Sequence, residues 1–148
     1  MQKLKSLNLY IERAHAGNKG KPPDCMNELE SIHDHMNVLS FEEAQYIYIY
    51  DYMNREEFID LEYVSPMPDP LDRTIRLRAL TMSDGVYSWA YLVAHWVKTY
   101  RIRLPKAFME WVHMTPEQRH QYPSIPINEV NKHRNDCERI FIQKGIDF

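Results

Sequence analysis

Residues 40–53 read Ser-Phe-Glu-Glu-Ala-Gln-Tyr-Ile-Tyr-Ile-Tyr-Asp-Tyr-Met, and two patterns compete in them. Tyr46 to Tyr52 alternates as a strand does. As a strand, one face would hold Tyr46, Tyr48, Tyr50 and Tyr52 and the other Ile47, Ile49 and Asp51, a poor separation of polar from apolar. As a helix the run is apolar nearly all round, which suits a helix buried at the centre of a domain. Ser40 and Glu43 form a capping box that starts such a helix. A helix over 41–53 is therefore expected, with most of Tyr46–Tyr52 in the core.

Working outward, more helices are expected. Leu4, Leu7, Ile11 and Ala14 make one stripe over 3–16, ended by Gly17. Asp24 caps a helix over 24–38 with Met26, Leu29, Ile32, Met36 and Leu39 inward. Residues 55–64 fit either a short helix or a strand, and 65–73 read as a proline-rich loop. Thr74–Thr81 alternates as a strand, and Asp84-Gly85 is a hairpin turn signal leading to a short return strand at Val86-Tyr87.

Residues 89–100 give the best amphipathic helix, with Trp89, Leu92, Val93, Trp96, Val97 and Tyr100 on one face. Leu104-Pro105 opens another, with Phe108, Trp111 and Val112 inward. Thr115-Pro116 starts a short one. The last runs over 127–144, with Ile127, Val130, Cys137 and Phe141 on its stripe. The fold expected is α+β and mainly α-helical, a single domain over 1–148. About six helices would pack round the 41–53 helix, with a small antiparallel hairpin near 74–87.

Composition agrees with a globular domain: of the 148 residues, 44% are hydrophobic and 26% charged. Only 4 glycines argue against an all-β fold rich in tight turns. No apolar run reaches membrane-spanning length, and the N-terminus lacks a signal-peptide core, so a cytoplasmic protein is expected. Two cysteines fit reduced thiols, with a Cys25–Cys137 bridge as the alternative.

Charge is segregated along the chain. Residues 1–72 carry 6 Lys and Arg against 14 Asp and Glu, net −8, and residues 73–148 carry 12 against 7, net +5. From 24 to 72 thirteen acids face one base, Arg55. The bland account is two halves that neutralise each other on packing. The functional account is an acidic surface for a basic protein partner. Since 41–53 goes to the core, that surface narrows to Glu30 and Asp34 on the 24–38 helix and to Glu56, Glu57, Asp60, Glu62, Asp69 and Asp72. Nucleic acid is not expected as a partner, because the acidic half repels phosphate.

Motifs for chemistry are sparse. His33 and His35 are two apart, so on a helix they diverge, and no Cys-x-x-Cys or His-x-x-x-His occurs. No metal and no cofactor is expected. His95, one turn after Tyr91 and near Lys98, Arg101 and Arg103, is the one histidine that invites an acid–base role, with Asp84 as its carboxylate. No spacing fixes that pair, and neither a phosphate loop nor a nucleophile elbow is present.

The segment Thr81–Phe108 has a Ser-Asp-Gly turn at 83–85, Tyr87-x-Trp89, then Trp96, and Leu104-Pro105-x-x-Phe108; Asp69-Pro-Leu-Asp72 precedes it. This resembles a pattern in small uncharacterised bacterial proteins, some of which are similar to immunity proteins that sit beside antagonistic toxins. The resemblance spans about residues 41–113. The chain departs from it at Tyr87, where an aromatic, often Trp, is usual, and at Ala90, where Pro often follows the second Trp. Physically, Asp84, Gly85, Trp89, Trp96, Leu104, Pro105 and Phe108 all have structural reasons to be where they are. Two alternatives stay open beside an immunity protein occluding a basic toxin site: a small hydrolase using His95 and Asp84, and a structural protein that self-associates through its charged poles.

Overall fold

The computed structural model describes residues 3–10, 31–36, 43–133 and 136–142. Its centre is a mixed five-stranded sheet, which overturns the expectation of a mainly helical fold packed round one helix. The strands are β1 (Leu4–Leu9), β2 (Ile59–Glu62), β5 (Leu80–Ser83), β6 (Tyr87–Ala90) and β7 (Cys137–Phe141), in the order β2-β5-β6-β1-β7. β1 runs parallel to both β6 and β7, while β2–β5 and β5–β6 are antiparallel. A second, two-stranded sheet joins β3 (Met67–Pro68) to β4 (Arg76–Leu77).

The first correction is β1, expected as helix. Leu4 packs with Ile125, Val130 and Cys137, whereas Leu7 and Leu9 belong to the main core. A central strand is buried on both faces, so apolar residues three apart in sequence fall on opposite faces. That spacing imitates one helical stripe. The second correction is 127–144. Ile127–His133 forms a 3-10 helix, and Cys137–Phe141 is strand β7 on the sheet edge. Cys137 stands at the start of β7, and Cys25, its partner in the alternative bridge, lies outside the described residues.

The helices pack against the sheet. α1 (Glu43–Met53) is the helix expected from the tyrosine run, although Ser40 lies outside the described residues. It buries Tyr46, Ile49, Tyr52 and Met53 and leaves Ile47 and Tyr48 about half exposed, so it lines the core and is not enclosed by it. α2 (Tyr91–Tyr100) follows β6 without a loop. Trp89 is therefore in the strand, not on the helix face shared by Trp96. α3 (Lys106–His113) has Pro105 at its cap position, and α4 (Pro116–Arg119) is held by a Thr115–Gln118 capping box. Of the 24–38 helix, residues 31–36 are described. They form a 3-10 turn at Ile32–Asp34 capped by Ser31, then an extended bridge from Met36 to Ile102. Residues 55–64 are both alternatives in series: a 3-10 turn at Glu56–Phe58 running into β2.

Candidate functional site

The acids expected to form one surface are divided by the fold. Glu30 lies outside the described residues, and Asp34 is exposed in the 3-10 turn. Glu56, Glu57, Asp60 and Glu62 line the ridge that leads into and along edge strand β2. Arg78 grips Glu62 through two bonds of 3.0 Å and reaches Glu56 at 3.7 Å, and Arg55 lies 3.7 Å from Glu57. Those contacts lower the Glu62 pKa and raise that of Arg78. Arg55 and Arg78 thus pair with three of the ridge carboxylates, Glu56, Glu57 and Glu62. At its end Tyr63 is 55% exposed and Val64 fully so. Asp72 is spent on a local turn, accepting from the Thr74 N–H and hydroxyl.

Asp69 leaves the surface altogether. Its side chain is completely buried, and Oδ1 accepts from the Trp96 indole at 3.0 Å and the Leu71 N–H at 2.9 Å. Oδ2 faces His95 Nε2 at 3.5 Å, beyond a well-formed hydrogen bond. His95 is mostly buried, with a side chain 15% exposed. Burial lowers its pKa, Asp69 opposes that, and Lys98 adds to it. Burial, then Asp69 and Asp72, raise the pKa of the neighbouring Tyr100. The Thr99 hydroxyl is nearly equidistant from the two ring nitrogens of His95, at 3.4 and 3.5 Å. It is therefore not aligned with either nitrogen as a nucleophile must be.

The structure does not bring His95 and Asp84 together. Asp84 sits at the β5–β6 turn, where Oδ1 accepts from Val86 and Tyr87 N–H at 2.9 and 2.8 Å. Oδ2 accepts from Tyr52 Oη at 2.7 Å and Trp111 Nε1 at 2.8 Å. Four donors on one carboxylate mark a structural latch. The other motif residues are core: Trp89 donates to the Met53 carbonyl, and Leu104, Pro105 and Phe108 are buried. Sequence reasoning missed Asp69 as the partner of His95. The Asp69-Pro-Leu-Asp72 stretch was its one visible signal.

Two of the cavities among the described residues bear on function, and neither of these is lined by His95 or Asp69. One, of about 570 Å³, opens over the Asp84 latch, where Arg55 and Arg119 each stack 4.9 Å from the Tyr52 ring centre. The other, of about 430 Å³, lies between α1, the end of α2 and α3. Among the described residues no three His, Cys, Asp or Glu side chains group as a metal site, and no helix is long and apolar enough to cross a membrane. Comparison with family models, curated proteins and solved structures gave no match to this chain.

Proposed function

We propose that this chain is a non-enzymatic, cytoplasmic protein-binding protein that occludes a basic partner, as an immunity protein occludes a toxin. The observation that carries this is the ridge from Glu56 to Val64. It combines three carboxylates against two arginines with an exposed Tyr63-Val64 tip just beyond edge strand β2. A polar, charged rim round an exposed aromatic and aliphatic contact is what a protein interface requires. Surplus negative charge steers a basic partner and speeds its approach. The motif resemblance to proteins similar to immunity proteins supports the same direction.

The test is titration of the full chain with the catalytic domain of a toxin encoded beside its gene. Affinity should fall as salt rises. The double charge reversal Glu56→Lys/Glu57→Lys should weaken binding at least tenfold, and Val64→Asp should weaken it further. Binding indifferent to salt and to all three changes refutes the proposal, and so does a gene neighbourhood without any such toxin.

A second function, an enzyme with His95 as its base, draws support from one observation: a buried carboxylate facing a nearly buried imidazole. In that case Asp69, and not Asp84, positions His95. Turnover abolished by His95→Gln in a screen of esters and amides would establish it.

A further inference from the structure

We propose that the cavity of about 430 Å³ between α1, the end of α2 and α3 is a binding site for a small uncharged apolar molecule, a short aliphatic chain ending in at most one hydroxyl. Its volume falls within the range of small-molecule sites, about 300–1,000 Å³. Ile49, Val97, Ile102 and Leu104 line it, each at most 5% exposed. Their side chains carry no polar atom. A sugar, a nucleotide or a free amino acid would turn polar groups against them and lose hydration without gaining a bond. Half-buried Met109 adds an unbranched, deformable wall that moulds to an alkyl chain.

The mouth favours no charge. Exposed Lys106 and Glu110 line the cavity one helical turn apart on α3, and their opposite signs cancel. Arg103 and Tyr46 are engaged with other parts of the chain. Burial raises the Tyr46 pKa, so its phenol stays uncharged. His113 spends Nδ1 on the Met109 carbonyl at 2.8 Å. Exposed Gln45 offers an amide, donor and acceptor together, in the same lining. An apolar chamber with a charge-balanced rim suits an alcohol better than an ion, which would give up hydration and meet no net opposite charge. The cavity is lined by no residue of the Glu56–Val64 ridge, so it does not depend on the protein-binding function.

Calorimetry of the full chain with octanol, hexanol, octanoate and octylammonium tests the site. Octanol should bind one to one, with an affinity that does not weaken as salt rises. Shortening to hexanol should cost roughly tenfold, since each buried methylene is worth about three- to fourfold. Octanoate and octylammonium should each bind at least fivefold more weakly than octanol. Met109→Trp should fill the cavity and abolish octanol binding, and Lys106→Glu should leave it unchanged. Methyl NMR of the unaltered chain gives a second reading. Octanol should shift the signals of Ile49, Val97, Ile102 and Leu104 and leave those of Leu4 and Val130, in the other apolar cluster, where they are. No saturable heat with octanol overturns the proposal, as does tighter binding of either ion. Methyl shifts at Leu4 and Val130 equal to those in the cavity overturn it too. Sedimentation that reveals a dimer dissolved by Met109→Trp also does so, giving the cavity to a second copy of the chain.

Discussion

The Tyr52 hydroxyl donates to Asp84 Oδ2 at 2.7 Å, tying the last turn of α1 to the β5–β6 turn. Trp111 Nε1 reaches the same oxygen from α3, so one carboxylate joins three elements. Burial, followed by the charge of Asp84, raises the Tyr52 pKa and keeps the phenol as donor. Asp84→Ala strands four donors and should cost about 3 kcal/mol or more. Tyr52→Phe removes one bond and should cost about 1 kcal/mol. Urea unfolding of both, with the double mutant, checks this. An Asp84→Ala midpoint equal to wild type would show that the latch does not hold the fold.

Gly85 should tolerate no side chain. Its φ is +94°, and a Cβ would stand 2.6 Å from the Ile125 carbonyl oxygen. That contact cannot simply relax, because Ile125 N donates to the Gly85 carbonyl at 2.8 Å and fixes the two segments together. Gly85→Ala should therefore destabilise by more than the roughly 1 kcal/mol of an unhindered left-handed site. A thermal melt within one degree of wild type would contradict it.

What was legible in the sequence was local. The tyrosine run with its apolar surround, the Asp84-Gly85 turn and the stripe from Leu92 to Val97 each show their structure within a dozen residues. The sheet was not legible, because its central strand takes its neighbours from far along the chain: Lys5 aligns with Tyr87 and with Glu138. Leu4 and Leu7, on opposite faces of β1, then read as one helical face. Site residues followed the same rule. Asp69 and His95 meet because the turn after β3 brings the Asp69 carboxylate against Trp96 and His95 of α2, whereas Asp84 lay closer in sequence and drew the pairing.

Acid should loosen the His95 region. Burial sets the folded pKa of His95 below its ordinary value near 6.5, Asp69 pulls it up, and Lys98 pushes it down. The neighbouring Tyr100, its pKa raised by burial and then by Asp69, stays neutral through this range. As pH falls through about 6.5, the unfolded chain takes up the proton first. Stability that is present above that value is therefore lost until pH passes the folded pKa. The His95 ring proton should titrate in NMR below the ordinary histidine value near 6.5, and Asp69→Asn should lower its midpoint further. A midpoint above about 6.5 would reverse the assignment.

Alkali should act through the tyrosines. Tyr87 is buried in β6 beside Phe108 and Trp111, and its pKa is pushed up to about 12, first by burial and then by Asp84, Glu138 and Glu110. Burial likewise raises Tyr50 and Tyr52. A folded value above the ordinary 10 means that the unfolded chain loses its proton first. The stabilisation is complete below about pH 10 and drains away as pH rises towards 12. Tyrosinate absorbance should therefore rise in two stages. The buried set should supply the late stage, in a steep step coincident with loss of circular dichroism. Tyr87→Phe keeps the ring and removes the ionisable group, so it should move that step to higher pH. A single smooth titration near pH 10, with the dichroism intact, would show that these phenols are open to solvent.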